Sequence, residues 1–328
     1  MIKKHVLIWI TLFIPSTAIF AHQGNQDRPN VIVIMTDDQG YPELSIHGNP
    51  ILKTPNLDRL AQTSVRFGDF HAAPMCAPTR GQLMTGMDAV TNGLVNVSSG
   101  RAFLRPELPT MGTIFMSNGY NTGVFGKWHL GANYPYRPQD RGFQESVWFS
   151  SSHIGSVSDY WGNDYFDDTY RHNGTLEQYE GYCTDVFFSE AKKFMEESIK
   201  EEKPFFAYIP TNTPHSPFIA KEEDIEAITK AYKSEFPDVD DLGKSYDQYS
   251  IKSLINYLAM IRNIDTNVGS LMEFLEDQKV AENTIVVFLT DNGSIQAHRY
   301  FPANMRGMKT SLGSKTHPQH RLVATSQI

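Results

Sequence analysis

Three apolar runs of strand length punctuate the chain: Asn30-Val31-Ile32-Val33-Ile34-Met35-Thr36, Pro204-Phe205-Phe206-Ala207-Tyr208-Ile209 and Thr284-Ile285-Val286-Val287-Phe288-Leu289-Thr290. Their β-branched and aromatic content, without polar alternation, fits strands of a parallel sheet covered on both faces. Residues 121–125 read as another, shorter strand. Elsewhere the apolar period is helical. Thr54 caps and Pro55 opens a helix that places Leu57, Leu60 and Ala61 on one face. Residues 110–118 form a second helix that Gly119 ends, and Thr184 caps a third that runs to Lys200. Leu254, Tyr257, Leu258, Ile261, Ile264, Val268, Leu271 and Leu275 recur at the spacing of one long core helix whose charged face is solvated. Residues 221–249 are charged and weakly periodic, as expected of a surface insertion. Asn173-Gly174 marks a tight hairpin within an aromatic-rich excursion, residues 146–182. Its Tyr160, Trp161, Tyr165, Phe166 and Tyr170 could form a lip that stacks sugar faces, but most of these rings are assigned to packing and none individually to substrate.

The polar residues that follow the strands carry the chemistry. The first strand runs into Asp37-Asp38-Gln39-Gly40 and the last into Asp291-Asn292-Gly293. Carboxylates at the C-terminal ends of buried strands lie where open α/β sheets place their ligands, although such a pair read alone is better taken as a turn with two solvated acids. Together the two ends offer hard oxygen ligands suited to Ca²⁺ or Mg²⁺. Asn292-Gly293-Ser294 is also formally a glycosylation sequon, as are Asn96-Val97-Ser98 and Asn173-Gly174-Thr175, and Asn292 is read here as a ligand. The strand ending near residue 125 continues as Gly126-Lys127-Trp128-His129-Leu130-Gly131, which offers a fixed charge and a proton acceptor to one pocket. His215 stands on a stiff loop between Pro214 and Pro217.

Composition narrows the class. The 328 residues carry a net charge of -8, which argues against nucleic acid as a partner. Lys3 and Lys4 precede an apolar run, residues 6–13, with Ser16, Ala18 and Ala21 after it, the layout of a secretory signal peptide over residues 1–21. That run is too short for a stable membrane span and Pro15 breaks it, so an exported, periplasmic or extracellular, protein is expected. Two cysteines, Cys76 and Cys183, make no disulfide framework, although one pair between them stays open.

One stretch brings these parts together: Cys76-Ala77-Pro78-Thr79-Arg80-Gly81-Gln82-Leu83-Met84-Thr85-Gly86. Proline at a first helical turn and threonine as a cap predict a short helix opening at Pro78-Thr79 and aiming its N-terminus at Cys76. The stretch resembles the signature of the type I sulfatases, members of the alkaline phosphatase superfamily. The resemblance runs over about residues 30–312 and implies an α/β fold, a large, mainly parallel mixed sheet between helices. It implies conversion of Cys76 to formylglycine by a maturation enzyme. The hydrate of that aldehyde has a second hydroxyl that can expel sulfate, where a serine would stop at a sulfate ester. Asp37, Asp38, Asp291 and Asn292, with the converted residue 76, would bind Ca²⁺ (or Mg²⁺). Arg80 would steady the diol, and Lys127 and Lys309 would bind sulfate oxygens. His129 would take the proton that releases sulfate, and His215 would assist departure of the alcohol. The implied substrate is a sulfated small molecule or glycan. Alternatives are a phosphate or phosphonate ester hydrolase, or an inactive remnant. The remnant is suggested because Arg306-Gly307-Met308-Lys309 is not followed by the family's Glu-Gly-Gly. The pattern fails at Leu312-Gly313, so residues 22–312 are assigned to the catalytic domain. Residues 313–328 are expected to be an aberrant tail without strand or helix period, the C-terminal subdomain being absent.

Overall fold

The computed structural model describes residues 28–68, 70–97, 103–238, 250–303, 305, 308–310 and, for the backbone, 322–326. The expected signal segment, the second half of the charged insertion and residues 311–321 lie outside the described residues. Among the described residues nine strands form one sheet: β1 (Asn30–Thr36), β2 (Val65–Phe67), β3 (Asn121–Lys127), β4 (Glu145–Phe149), β5 (Thr169–His172), β6 (Thr175–Gln178), β7 (Phe205–Pro210), β8 (Thr284–Thr290) and β9 (Leu322–Ser326). Their order across the sheet is β2-β9-β8-β1-β7-β3-β4-β5-β6. The five central strands β8, β1, β7, β3 and β4 are parallel, and antiparallel pairs extend the sheet at both margins. The sheet is thus mixed and mainly parallel, as expected.

Alternating side chains serve two separate cores. Ile32, Ile34, Phe125, Ala207, Ile209, Val286 and Phe288 face one layer, packed by α1 (Pro55–Gln62), α5 (Cys183–Lys200), α6 (Glu222–Glu235) and α7 (Ile251–Asp277). Val33, Met35, Val124, Phe206, Tyr208 and Leu289 face the other, which includes Ala77 and Met84 of α2 (Cys76–Thr85) and lies against α4 (Met111–Ser117). A short α3 (Ala89–Asn92) follows α2. Each such Val, Leu, Ile, Phe or Met contributes roughly 1.5–3 kcal/mol on leaving water, which is why the central strands read as unbroken apolar runs.

Several local expectations need correction. Thr54 occupies the N-cap position of α1, but its hydroxyl bonds Ser45 and Asp58. The α1 amides of Asn56 and Leu57 instead donate to Asp265 of α7, at 3.4 and 2.8 Å. Asp265 is therefore buried, not part of a wholly solvated charged face. Thr184 does not cap α5 either; its hydroxyl lies 2.9 Å from that of Thr213, tying the helix to the loop after β7. The charged insertion folds in part as α6, which buries Ile228 and Tyr232 against the core. Residues 322–326, read as part of a patternless tail, form β9 between β8 and β2. Five residues are too few to show a period, and the strand is made by the two sheet margins it joins. The hairpin is as expected: Asn173 and Gly174, both at positive φ (50° and 96°), link β5 to β6.

Candidate active site

The four adjacent strands β8, β1, β7 and β3 end nearly level, with Thr36 opposite Thr290 and Met35 opposite Pro210. Asp37 and Asp38 follow β1, Asp291 and Asn292 follow β8, and His215 lies on the loop after β7. Lys127 closes β3, with His129 just beyond. Gly126 is required there: at φ 130°, a Cβ would lie 2.1 Å from the Pro210 carbonyl oxygen. Asp38 (φ 66°) and His129 (φ 54°) also take left-handed backbone, a strain of about 1–2 kcal/mol each that marks a constrained site.

Helix α2 brings the signature to this edge. It begins at Cys76, two residues earlier than the Pro78-Thr79 reading, with Met75 as N-cap. The Thr79 hydroxyl accepts from the Ala73 amide at 2.9 Å, fixing the approach to the helix instead of capping it. Cys76 through Gly81 are all buried, and a Cβ on Gly81 would meet Leu94 at 2.4 Å, so the first turn is set tightly into the molecule.

One ligand atom each from Asp37, Asp38, Cys76 and Asp291 gathers within 4.8 Å. Asn292 donates to the Cys76 sulfur at 3.3 Å. Three cations face the three carboxylates. Arg80 directs Nε and Nη2 to Asp291 Oδ2 at 3.0 and 2.8 Å and Nη1 to the Lys127 carbonyl. Lys127 Nζ lies 2.5 Å from Asp37, and Lys309 Nζ 2.5 Å from Asp38. His215 Nε2 stands 3.4 Å from Asp38 Oδ2. His129 makes no well-formed hydrogen bond through either ring nitrogen among the described residues. The site residues read from sequence thus converge, except that His129 is linked to the others only by proximity of charge.

The electrostatics follow from burial and these partners. Burial would raise the Asp37 carboxyl, but Lys127, His215 and Arg80 outweigh it and hold Asp37 below the usual range. For Asp291, burial and the Asp37 charge prevail and push it up. Burial opposes the charge on Lys309, yet Asp38 raises it above an ordinary lysine. Burial, then Lys127 and Arg80, hold His129 well below the usual histidine range, so it is neutral. Burial also pushes the Cys76 thiol well up, with the carboxylates adding to it. Such a thiol is a poor nucleophile as it stands. Cys76 and Cys183 are both free and serve opposite faces of the sheet, which removes the disulfide between them.

The cluster meets a simple test for a cation. Asp37 Oδ1 and Asn292 Oδ1 are buried without a hydrogen-bond partner among the described residues, and Arg80 Nη2 stands 3.6 Å from the former, beyond hydrogen-bond distance. Buried oxygens left in this way are costly unless something positive satisfies them.

The Sulfatase family model matches residues 29–320. The chain belongs to the sulfatase family. This sulfatase is 32% identical to the arylsulfatase of Klebsiella aerogenes over 86% of its own length and 69% of that enzyme's. It is 28% identical to the human N-acetylgalactosamine-6-sulfatase, spanning 83% of the chain but 51% of the relative. Among solved structures, Ps i-CgsB in complex with k-i-k-neocarrahexaose superposes with a TM-score of 0.74 at 26% identity, covering 91% of this chain and 66% of that one. Against most of the curated relatives it matches, the sulfatase spans little more than half their length. A phosphonate monoester hydrolase of Agrobacterium radiobacter shares the fold at TM-score 0.58 and 20% identity. No helix among the described residues is long and apolar enough to cross a membrane.

Two groups near the site escaped the sequence reading. His153, in the aromatic-rich excursion, stacks on His215, and no local motif announces it. Glu43, shortly after Asp38, is wholly buried beside Gly40, Ser294 and Tyr257, and burial pushes its carboxyl up to about 8. The unfolded chain would ionise it near 4.5. The stability that neutral Glu43 contributes is therefore complete below that value and is lost as pH rises to about 8, at up to about 1.4 kcal/mol per unit. Glu43→Gln should remove this slope, so its melting temperature should gain on the parent between about pH 5 and about pH 8. A gap that stays constant with pH would contradict a protonated Glu43.

Proposed function

We propose that this sulfatase hydrolyses sulfate esters of a carbohydrate, with residue 76 converted to formylglycine and a hard divalent cation, Ca²⁺ or Mg²⁺, beside it. The observation that carries the reading is the convergence of Asp37, Asp38, Asp291 and Asn292 on Cys76, in a chain matched to the sulfatase family. Relatives named for N-acetylgalactosamine 6-sulfate chemistry, and a structural neighbour holding a neocarrahexaose, support a sugar substrate. The poor nucleophilicity of the thiol supports a precursor role for Cys76.

Asp37, Asp38, Asp291 and Asn292 would hold the cation through oxygen only, and it would supply Lewis acidity toward a sulfate oxygen and the nucleophile. The hydrated aldehyde would supply one hydroxyl to attack sulfur and a second whose deprotonation expels sulfate. Arg80, locked on Asp291 and the Lys127 carbonyl, fixes the first turn of α2 and with it residue 76. Lys127 and Lys309, each beside a carboxylate, supply the positive charge that receives the sulfate oxygens. His129 enters neutral, with a lone pair available for the proton of the second hydroxyl. His215 has Nδ1 2.5 Å from the Ser216 carbonyl oxygen, so Nδ1 carries hydrogen and Nε2 is the atom that exchanges a proton with the departing alcohol. The reading includes an exported chain and a partner enzyme that oxidises Cys76.

Chelation should abolish turnover of 4-nitrophenyl sulfate, and Ca²⁺ or Mg²⁺ should restore it. Turnover should exceed that of 4-nitrophenyl phosphate. Full activity after exhaustive chelation, or a preference for the phosphate, would overturn the reading.

A further inference from the structure

The excursion between β4 and β5 reaches back to the loop that carries His215. There the rings of His153 and His215 lie parallel, 14° apart in plane with centroids separated by 5.0 Å. The turn that presents His153 is held from several sides. Its carbonyl accepts from the hydroxyls of Ser151, at 2.5 Å, and Ser156, at 2.9 Å, while Ile154 is buried beneath it. His153 Nδ1 lies 3.1 Å from the Ser152 hydroxyl, and Nε2 makes no hydrogen bond to a described residue. A second tether comes from the same excursion: the buried Tyr165 hydroxyl donates to the His215 carbonyl at 3.2 Å.

These contacts have a consequence for His215. Its ring is held at one edge by the Ser216 carbonyl and lies 3.4 Å from Asp38 Oδ2 at the other, and a flat neighbour against its face resists tilting about the line between them. Stacked rings gain about 0.5–1.5 kcal/mol from such an arrangement. The neighbour must also carry no charge, because a cation stacked on His215 would oppose a proton there. His153 meets this condition: burial, then His215 and Lys127, lower its pKa to about 4.

We propose that His153 is a positioning residue: by stacking on His215 it holds Nε2 where a proton can reach the oxygen of the departing alcohol. The proposal rests on the sulfate ester reading above and deepens it, since it makes the excursion part of the machinery for poor leaving groups. A leaving group that is a good anion, such as 4-nitrophenolate, needs little help from His215. A phenol or a sugar alcohol, which holds its proton strongly, depends on it.

The test compares 4-nitrophenyl sulfate with unsubstituted phenyl sulfate for the parent, His153→Ala and His153→Phe, each with residue 76 converted and Ca²⁺ present. His153→Ala should lower kcat/KM for phenyl sulfate on the order of 10- to 100-fold and for 4-nitrophenyl sulfate by less than about threefold. His153→Phe, which keeps the flat ring and loses the nitrogens, should restore both rates to within about threefold of the parent. An equal loss on both substrates, no loss on phenyl sulfate, or a phenylalanine variant as impaired as the alanine one would overturn the proposal and leave the sulfatase reading standing. A parent that turns over neither ester would sink that reading, and this proposal with it.

Discussion

Replacing Cys76 by serine should leave the fold intact and cut sustained turnover of an aryl sulfate by on the order of 10⁴-fold or more. The side chain is the first of α2, is buried, and has its sulfur 3.3 Å from Asn292 Nδ2 and 3.8 Å from Asp38 Oδ1, so a slightly smaller hydroxyl fits without disturbing the core. On the proposed reading, what the serine would lack is the second hydroxyl of a hydrated formylglycine. If its single hydroxyl attacked sulfur it would become a sulfate ester with no means of expelling sulfate, and the protein would stop after one event. Intact mass measurement after incubation should therefore find either bound sulfate or no change, and Cys76→Ala should show no change. Continued turnover by either variant, with its melting temperature unaltered, would rule out residue 76 as nucleophile.

The second large effect is on stability. Arg80→Met should cost about 3–5 kcal/mol, because it leaves the buried Asp291 carboxylate without the guanidinium that meets it twice. It also frees the Lys127 carbonyl, which Arg80 Nη1 holds at 3.2 Å. Guanidinium chloride unfolding measures the loss directly. Adding Asp291→Asn to Arg80→Met should recover part of it, since the double variant no longer buries an unpaired charge. A loss below about 1 kcal/mol for the single variant would mean that Asp291 is already protonated when Arg80 is absent.

The plan of the sheet was legible because its central strands are covered on both faces, which forces residues such as Ile32, Ile34, Phe288 and Leu289 to be apolar without interruption. The site was legible for a related reason. Asp37, Asp38, Asp291 and Asn292 follow those runs directly, and polar residues there have no core to join. What escaped depends on contacts distant in sequence. Thr54 and Thr184 look like caps, but which oxygen meets an amide is decided by Asp265 and Thr213 across the fold. Pro78 marked a first turn correctly in kind and wrongly in position, because proline is tolerated anywhere in that turn and Cys76 already sits inside it. His153 gave no signal, since its meaning lies in a ring more than sixty positions away.

The site is shared between β1 and β8, and the Asp38 amide meets the Asp291 carboxylate across 253 positions of sequence. During synthesis, β1 and α2 leave the ribosome long before β8 does, at about 5–20 residues per second. For that interval Cys76 has neither Asn292 nor Asp291 beside it. Once β8 docks, Cys76 is buried, with only 2% of its surface exposed. On the formylglycine reading proposed above, that burial would set a deadline: oxidation of Cys76 would have to precede the docking of β8, and protein that folded first would keep an unconverted thiol.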